Sequence, residues 1–283
     1  MQAALMFVFM LLGNAVEPAS QDSALNIASF NVESDSDTRP ALVAEDMHRL
    51  PGIDIWALQE VESEEALKLF VETLNDASTG GEDSINGLYD GFIGRSGRRW
   101  RDHLGFIYRV DRFQTVRFEE SKAFGGSRDA LIMIAILADG TPVTLVNHHF
   151  NRGDAARRQR QAYLFRRWLA AHSDQAIISI GDFNFDYDHL KSAPHGNPAF
   201  EEFMSDGLID WPAPACIAAE TCPPTGSQCN ARYNSILDFI FLSGPARAWR
   251  VETDLAFLDE NYCERDRLGY ADHRPLIGRI DIE

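Results

Sequence analysis

The sequence predicts an α/β fold in a single domain, and three observations carry that prediction. The first part of the chain alternates strand and helix patterns, and each strand closes on an acidic or amide side chain. A run of strand patterns too closely spaced for intervening helices follows. No low-complexity tract or linker divides the rest of the 283 residues, and 45% hydrophobic composition suffices for one large core or two small ones.

In order, residues 25–31 (LNIASFN) alternate apolar with small or polar side chains and reach Asn31 at a sheet end. A helical stretch follows from about Pro40 to Leu50. IDIWALQE, residues 53–60, is the second strand and ends in Glu60. From Ser63 to Leu74 the apolar residues Ala66, Leu67, Phe70, Val71 and Leu74 recur at helical spacing. Gly80 to Asn86 is a polar loop. Strand patterns at 88–93, 103–109, 113–118, 130–138 and 142–149 then suggest an antiparallel meander. Residues 153–171 form an amphipathic helix with Leu164, Phe165, Trp168 and Leu169 on one face. Arg157, Arg158, Arg160, Arg166 and Arg167 lie mostly elsewhere on it, as a nucleic-acid patch or, more commonly, as a solvated polar face. A buried strand from Ile177 leads into a tight loop at Asp182–Asp186, and a helix is expected near 197–205. Residues 211–235 make a Pro- and Cys-containing loop. Strands at 236–242, carrying Asp238, and at 249–257 precede the closing segment ADHRPLIGRI, residues 271–280.

The formal net charge of −17 argues against packaging of DNA, because an acidic surface does not draw polyanions. A phosphate-bearing substrate then needs a local basic group or a bound cation. AALMFVFMLL, residues 3–12, is too short to span a bilayer and fits the apolar core of a signal peptide, with Gly13 and Ala15 as a small-x-small cleavage site. No Lys or Arg precedes it. The expected organisation is a signal peptide over 1–15, a linker over 16–24 and one domain over 25–283, in a secreted or periplasmic protein without a transmembrane segment. Four cysteines, Cys216, Cys222, Cys229 and Cys263, suggest two disulfides in an exported chain, with three pairings open. Their spacing fits a zinc site less well.

The chemistry concentrates in IISIGDFNFD, residues 177–186. Side chains alternate along extended backbone, so Asp182 and Asn184 project together while Phe183 and Phe185 face the core. A carboxylate that accepts a proton beside an amide that donates N–H suits a phosphate or metal site. Polar groups recur at the other strand ends: Asn31, Glu60, Asn147, His149, Asp238, Asp272 and His273. Asn147 and His149 share a face, whereas His148 points away and is read as packed or solvent-facing.

The segments FN (30–31), LQEVE (58–62), VNHHF (146–150), GDFN (181–184), LDFIF (237–241) and ADHRP (271–275) together resemble the endonuclease/exonuclease/phosphatase superfamily, of deoxyribonuclease-I-like fold. The resemblance spans about residues 25–282. It implies a four-layer α/β/β/α sandwich of two mixed sheets and Mg²⁺- or Mn²⁺-dependent hydrolysis of phosphate esters, most often in nucleic acid. It implies that Glu60 holds the metal, with Asn31 and Asp272 completing or tuning the site. His273 pairs with Asp238, His149 is the second imidazole, and Asp102 stands where the nuclease branch supports that imidazole with Glu. Asp182 orients or deprotonates water, and Asn184 holds a phosphoryl oxygen. Asn147 joins the substrate contacts. Arg128 is either a substrate-phosphate contact or an ordinary hairpin arginine, and Trp100 an aromatic near DNA or a core flank. One position departs from the pancreatic-type nuclease pattern: Glu62 stands where an arginine enters the minor groove, and Glu64 and Glu65 follow. Glu33, Asp35 and Asp37 read as a solvated acidic loop or a second cation site. The leading expectation is an exported endonuclease or phosphodiesterase; phospholipid or small phosphate-ester hydrolysis, with specificity in the 211–235 loop, is the alternative within enzymes. A binding protein on the same fold is the alternative outside them. No obligate protein partner is evident.

Overall fold

The computed structural model describes residues 24–34, 36–78, 89–97 and 101–282. The leader, the linker up to residue 23, the polar loop at 80–86, Asp35 and Trp100 lie outside them. Twelve described strands form two six-stranded sheets. The first contains β1 (Ala24–Asn31), β2 (Ile55–Val61), β3 (Tyr89–Ile93), β4 (His103–Arg109), β11 (Arg250–Leu255) and β12 (Leu276–Asp281), in the order β11-β12-β1-β2-β4-β3. The second contains β5 (Phe113–Ser121), β6 (Ala130–Leu137), β7 (Pro142–His149), β8 (Ile177–Tyr187), β9 (Ile209–Asp210) and β10 (Ile236–Ser243), in the order β5-β6-β7-β8-β10-β9. Each sheet has one parallel pair at its centre, β1–β2 and β7–β8, and antiparallel neighbours elsewhere. Helices α1 (Pro40–His48) and α3 (Ala155–Ala171) are the crossovers that make those pairs parallel.

The strand periodicity explains the layering. On β1 and β2, Leu25, Ile27, Ile55 and Ala57 join the large core shared with the second sheet. Their alternates Ala28, Phe30, Trp56 and Leu58 pack under α1 and α2 (Glu64–Ser78), against Val43, Met47, Leu67 and Phe70. On the far side, Phe165 of α3 stacks on Phe203 of α4 (Pro198–Met204), which meets Phe183 and Phe185 of β8. The result is helices, sheet, sheet, helices, as expected. Among the described residues no helix is long and apolar enough to cross a membrane.

Two element-level expectations change. The supposed meander breaks between β4 and β5, which lie in different sheets and are joined by a short 3₁₀ turn, Val110–Arg112. Close spacing identified the hairpins but did not reveal which sheet each joins. The strand at Ile177 does not end at Asp182. It runs to Tyr187 by placing Asn184 and Asp186 at positive φ, 52° and 46°. Cys216 is bonded to Cys222 and Cys229 to Cys263, which excludes the zinc arrangement and free thiols. The loop that they staple carries one short helix, α5 (Ala215–Ala218).

Candidate active site

Three of the site residues stand at or beside the carboxyl ends of parallel strands, and a fourth lies midway along the remaining one. Asn31 ends β1, Glu60 lies near the end of β2, His149 ends β7, and Asp182 lies within β8. Such ends leave room for a ligand, because the crossovers carry the chain away from them. Register does the rest: His149 is paired with Asp182 across β7–β8, and Asp182 with Asp238 across β8–β10. Alternation alone would turn Glu60 to the face opposite Gln59. A bulge between Leu58 and Val61, with Glu60 at φ 56°, re-aims it. Asp272 and His273 arrive on a short ribbon, in which Cys229 N–H donates to Asp272 O at 2.6 Å and His273 bridges to Gln228.

The cleft so formed has a volume of about 160 Å³, and its walls include Glu33, Glu60, His149, Asp182, Asn184, Asp272 and His273. His273 Nδ1 lies 2.9 Å from Asp238 Oδ2, which orients the ring. His149 Nε2 faces Asp182 Oδ2 at 3.4 Å and Glu60 Oε1 at 3.7 Å. Its Nδ1 faces Asp102 Oδ1 at 3.5 Å, longer than an ordinary hydrogen bond, as the shorter reach of Asp relative to Glu requires. Asn31 donates to Glu60 Oε1 at 2.9 Å and to Asp182 Oδ2 at 3.3 Å, while its own Oδ1 accepts the Glu33 N–H. Asn31 therefore braces the two carboxylates. Asn184 spends one N–H on Phe150 O at 3.0 Å.

Three expectations are corrected. Asn147 is fully buried and spends its amide on Leu58 O, Gly105 O and Gln59, at 2.8–3.0 Å. It stitches the two sheets together below the cleft and has nothing left for substrate. Arg128 places Nε and Nη2 on Asp102 Oδ2 and does not line the cleft. It holds the carboxylate that backs His149. Glu33 is not part of a solvated loop: it lines the cleft, and its Oε2 accepts the Asp272 N–H at 3.0 Å. Glu62, at the position that departs from the nuclease pattern, pairs with Arg101 at 2.8 Å. His148 is packed among Phe124, Phe150, Phe165 and Phe183.

Sequence reasoning missed Arg152, Gln228 and Tyr233, which also line the cleft. Arg152 could have been found from its place just after a strand that ends in a site histidine. Gln228 and Tyr233 belong to an irregular loop with no periodicity to place them.

The electrostatics are those of a proton-handling site. Burial works against a charged His273, but Asp238, Asp272 and Asp182 overcome it and hold the imidazole well above its usual range. His149 is likewise raised: burial and Arg128 oppose its charge, and Asp102, Asp182 and Glu60 outweigh them. Burial raises Asp182, as does Asp238, against the two histidines. Burial and Asp272 push Glu33 up to about 8, and burial with Glu60 nearby raises Asp272.

These values bear on a cation. Among the described residues no three His, Cys, Asp or Glu side chains close into a ready-made metal cage. Yet Glu33, Glu60 and Asp272 crowd one wall of the cleft, where two of them resist ionising. All three present hard oxygens. That donor set fits Mg²⁺ or Mn²⁺, because such an ion keeps most of its waters and needs only one or two carboxylates.

A family profile for endonuclease/exonuclease/phosphatase proteins matches residues 28–273. The chain belongs to the endonuclease/exonuclease/phosphatase family. Membership places it, at the coarsest level, among hydrolases of phosphate esters. Solved structures of the same fold agree. A family member from Bacteroides thetaiotaomicron superposes with a TM-score of 0.62 at 20% identity, covering 92% of this chain and 98% of that one. A mannosyl-6-phosphatase from the same organism gives 0.59 at 19%, covering 90% and 99%. The human nocturnin catalytic domain with bound sulfate gives 0.62 at 16%, covering 92% and 95%. Identities this low establish the fold and leave substrate open. No curated protein sequence matched the chain.

Proposed function

We propose that this endonuclease/exonuclease/phosphatase family protein is an exported, Mg²⁺- or Mn²⁺-dependent hydrolase that cleaves a compact phosphate ester by in-line attack of water. The observation that carries the reading is the convergence on one small cleft of two carboxylate-backed imidazoles, Asp182 between them, and a wall of hard oxygen donors. Glu60 and Asp272, with Glu33 beside them, would hold the cation, which when bound neutralises charge on a phosphoryl oxygen. Asp182, braced by Asn31, accepts a proton from the attacking water as its oxygen bonds to phosphorus. The free N–H of Asn184 meets a phosphoryl oxygen. His273, fixed through Nδ1 by Asp238, presents Nε2 to the cleft and donates a proton to the departing ester oxygen as its bond to phosphorus breaks. His149, fixed on the Asp102–Arg128 pair, stabilises the equatorial charge.

Export is supported by the two disulfides, which persist in oxidising compartments, together with the apolar leader. A compact substrate is supported by the small cleft, by the net charge of −17, and by the engagement of two of helix α3's five arginines. Arg158 is buried, and Arg166 pairs with Glu202 and Asp206. The endonuclease reading keeps one supporting observation, Asp102 facing His149 where the nuclease branch supports its imidazole.

A substrate panel tests this: plasmid DNA, RNA, sphingomyelin, p-nitrophenyl phosphate and bis-p-nitrophenyl phosphate, each with Mg²⁺ or Mn²⁺. Turnover of a small ester that EDTA abolishes and Mg²⁺ or Mn²⁺ restores is the expected outcome. Nicking of plasmid in preference to every small ester would favour the endonuclease. No turnover of any substrate would defeat the hydrolase.

A further inference from the structure

Arg152 lies in the loop just past β7 and is gripped at both ends. At its root, its carbonyl oxygen accepts from Arg158 Nη1 at 2.9 Å. At its tip, Nη1 donates to Asn184 Oδ1 at 3.3 Å and to Asp186 Oδ1. The guanidinium carbon stands 3.8 Å from the centroid of the Tyr233 ring, a cation–π stack that fixes the plane. Nε and Nη2 make no hydrogen bond among the described residues, although the side chain is only 31% exposed. Arg152 is also the one Arg or Lys lining the cleft among the described residues.

We infer that Arg152, held flat by Tyr233 and Asp186, is the phosphate-recognising cation of this site and selects a phosphomonoester over a diester. The inference rests on the hydrolase reading above. Two free, nearly parallel N–H groups can converge on one phosphate oxygen, and rigidity spares the fork the entropy of being ordered on binding. The choice between esters follows from counting oxygens. A diester has two non-bridging oxygens, and both have partners, one in the cation that the carboxylate-rich wall would hold and one in Asn184 and His149. A monoester has a third, and Arg152, the one guanidinium or ammonium lining the cleft among the described residues, lies on the Asn184 side to receive it.

The test compares wild-type protein, Arg152→Gln, Arg152→Lys and Tyr233→Leu, with Mg²⁺, on p-nitrophenyl phosphate and bis-p-nitrophenyl phosphate. Arg152→Gln is expected to raise KM for the monoester about ten- to hundredfold, the size of one lost charge-assisted contact, with a clearly smaller loss of diester kcat/KM through the released Asn184 amide. The inhibition constant of inorganic phosphate rises by the same factor, and phosphate no longer raises Tm. Arg152→Lys restores part of the loss, and Tyr233→Leu gives a smaller effect in the same direction. Should Arg152→Gln not fold, Tyr233→Leu carries the test through the same monoester-specific rise. An equal loss on both esters, or no change in phosphate inhibition, overturns the inference while leaving the hydrolase standing. Turnover of neither ester by wild type overturns the inference, and no turnover of any substrate in the panel above defeats the hydrolase reading as well.

Discussion

His148 and His149 are neighbours in sequence and opposites in chemistry, because a strand sends consecutive side chains to opposite faces. His148 sits in a cage of phenylalanines, where burial pushes it down to about 3. Unfolded, it titrates near 6.5. Below that pH the unfolded chain binds a proton that the folded protein refuses, so stability falls as pH drops from about 6.5 to about 3. A gap of that size is worth on the order of 4–5 kcal/mol across the window. Urea unfolding of His148→Leu across this range should show a flatter pH dependence than wild type; parallel curves would refute the account. His149 acts in the cleft instead. His149→Ala and His273→Ala should each lower kcat by about 10²- to 10⁴-fold with unchanged circular dichroism, as loss of a positioned charge-stabilising donor or of a positioned acid does. Near-normal turnover in both would remove the assigned roles.

At the scale of elements, the parallel pair β7–β8 has one steric requirement. Gly181 adopts φ 140°, and a Cβ there would stand 2.1 Å from His148 O. Gly181→Ala should therefore destabilise by about 3 kcal/mol or more, combining strain with a backbone clash, and a Tm within a degree or two of wild type would contradict this. The disulfide Cys229–Cys263 closes 34 residues and ties the stapled loop to the segment before His273. Chain-entropy arguments put its contribution at about 3–4 kcal/mol. A Cys229→Ser, Cys263→Ser double variant should melt correspondingly lower and lose turnover, because Gln228 and Cys229 hold Asp272 in place. Helix and strand patterns were legible here, down to the core faces of α2, α3 and β8. The bulge that turns Glu60 and the continuation of β8 to Tyr187 were not, because both depend on a partner strand whose identity no local pattern carries.

At the scale of the molecule, the two sheets share one topology: a parallel pair with a hairpin on one side and a second antiparallel pair on the other. Packed face to face, they bring the carboxyl ends of β1, β2, β7 and β8 to one cleft. The acidic charge of the whole, −17, then governs what approaches. Metal-free protein titrated into a short fluorescent DNA duplex at physiological salt should show no saturable anisotropy change. Tight, salt-sensitive binding would point instead to a basic surface and to nucleic acid.

The sequence by itself determined the fold class and the order of the elements, and it singled out Asn31, Glu60, His149, Asp182, Asn184, Asp238, Asp272 and His273, which the fold gathers at or behind one cleft. Those properties are written in periodicity and in short motifs at strand ends. Only the tertiary structure decided that Asn147 faces the interior, that Arg128 holds Asp102, that Glu33 enters the cleft, and that Arg152 lies across Tyr233. Each of these depends on which distant backbone lies opposite a side chain. That is settled by the packing of one sheet on the other and by the course of an irregular loop, and neither leaves a local signature.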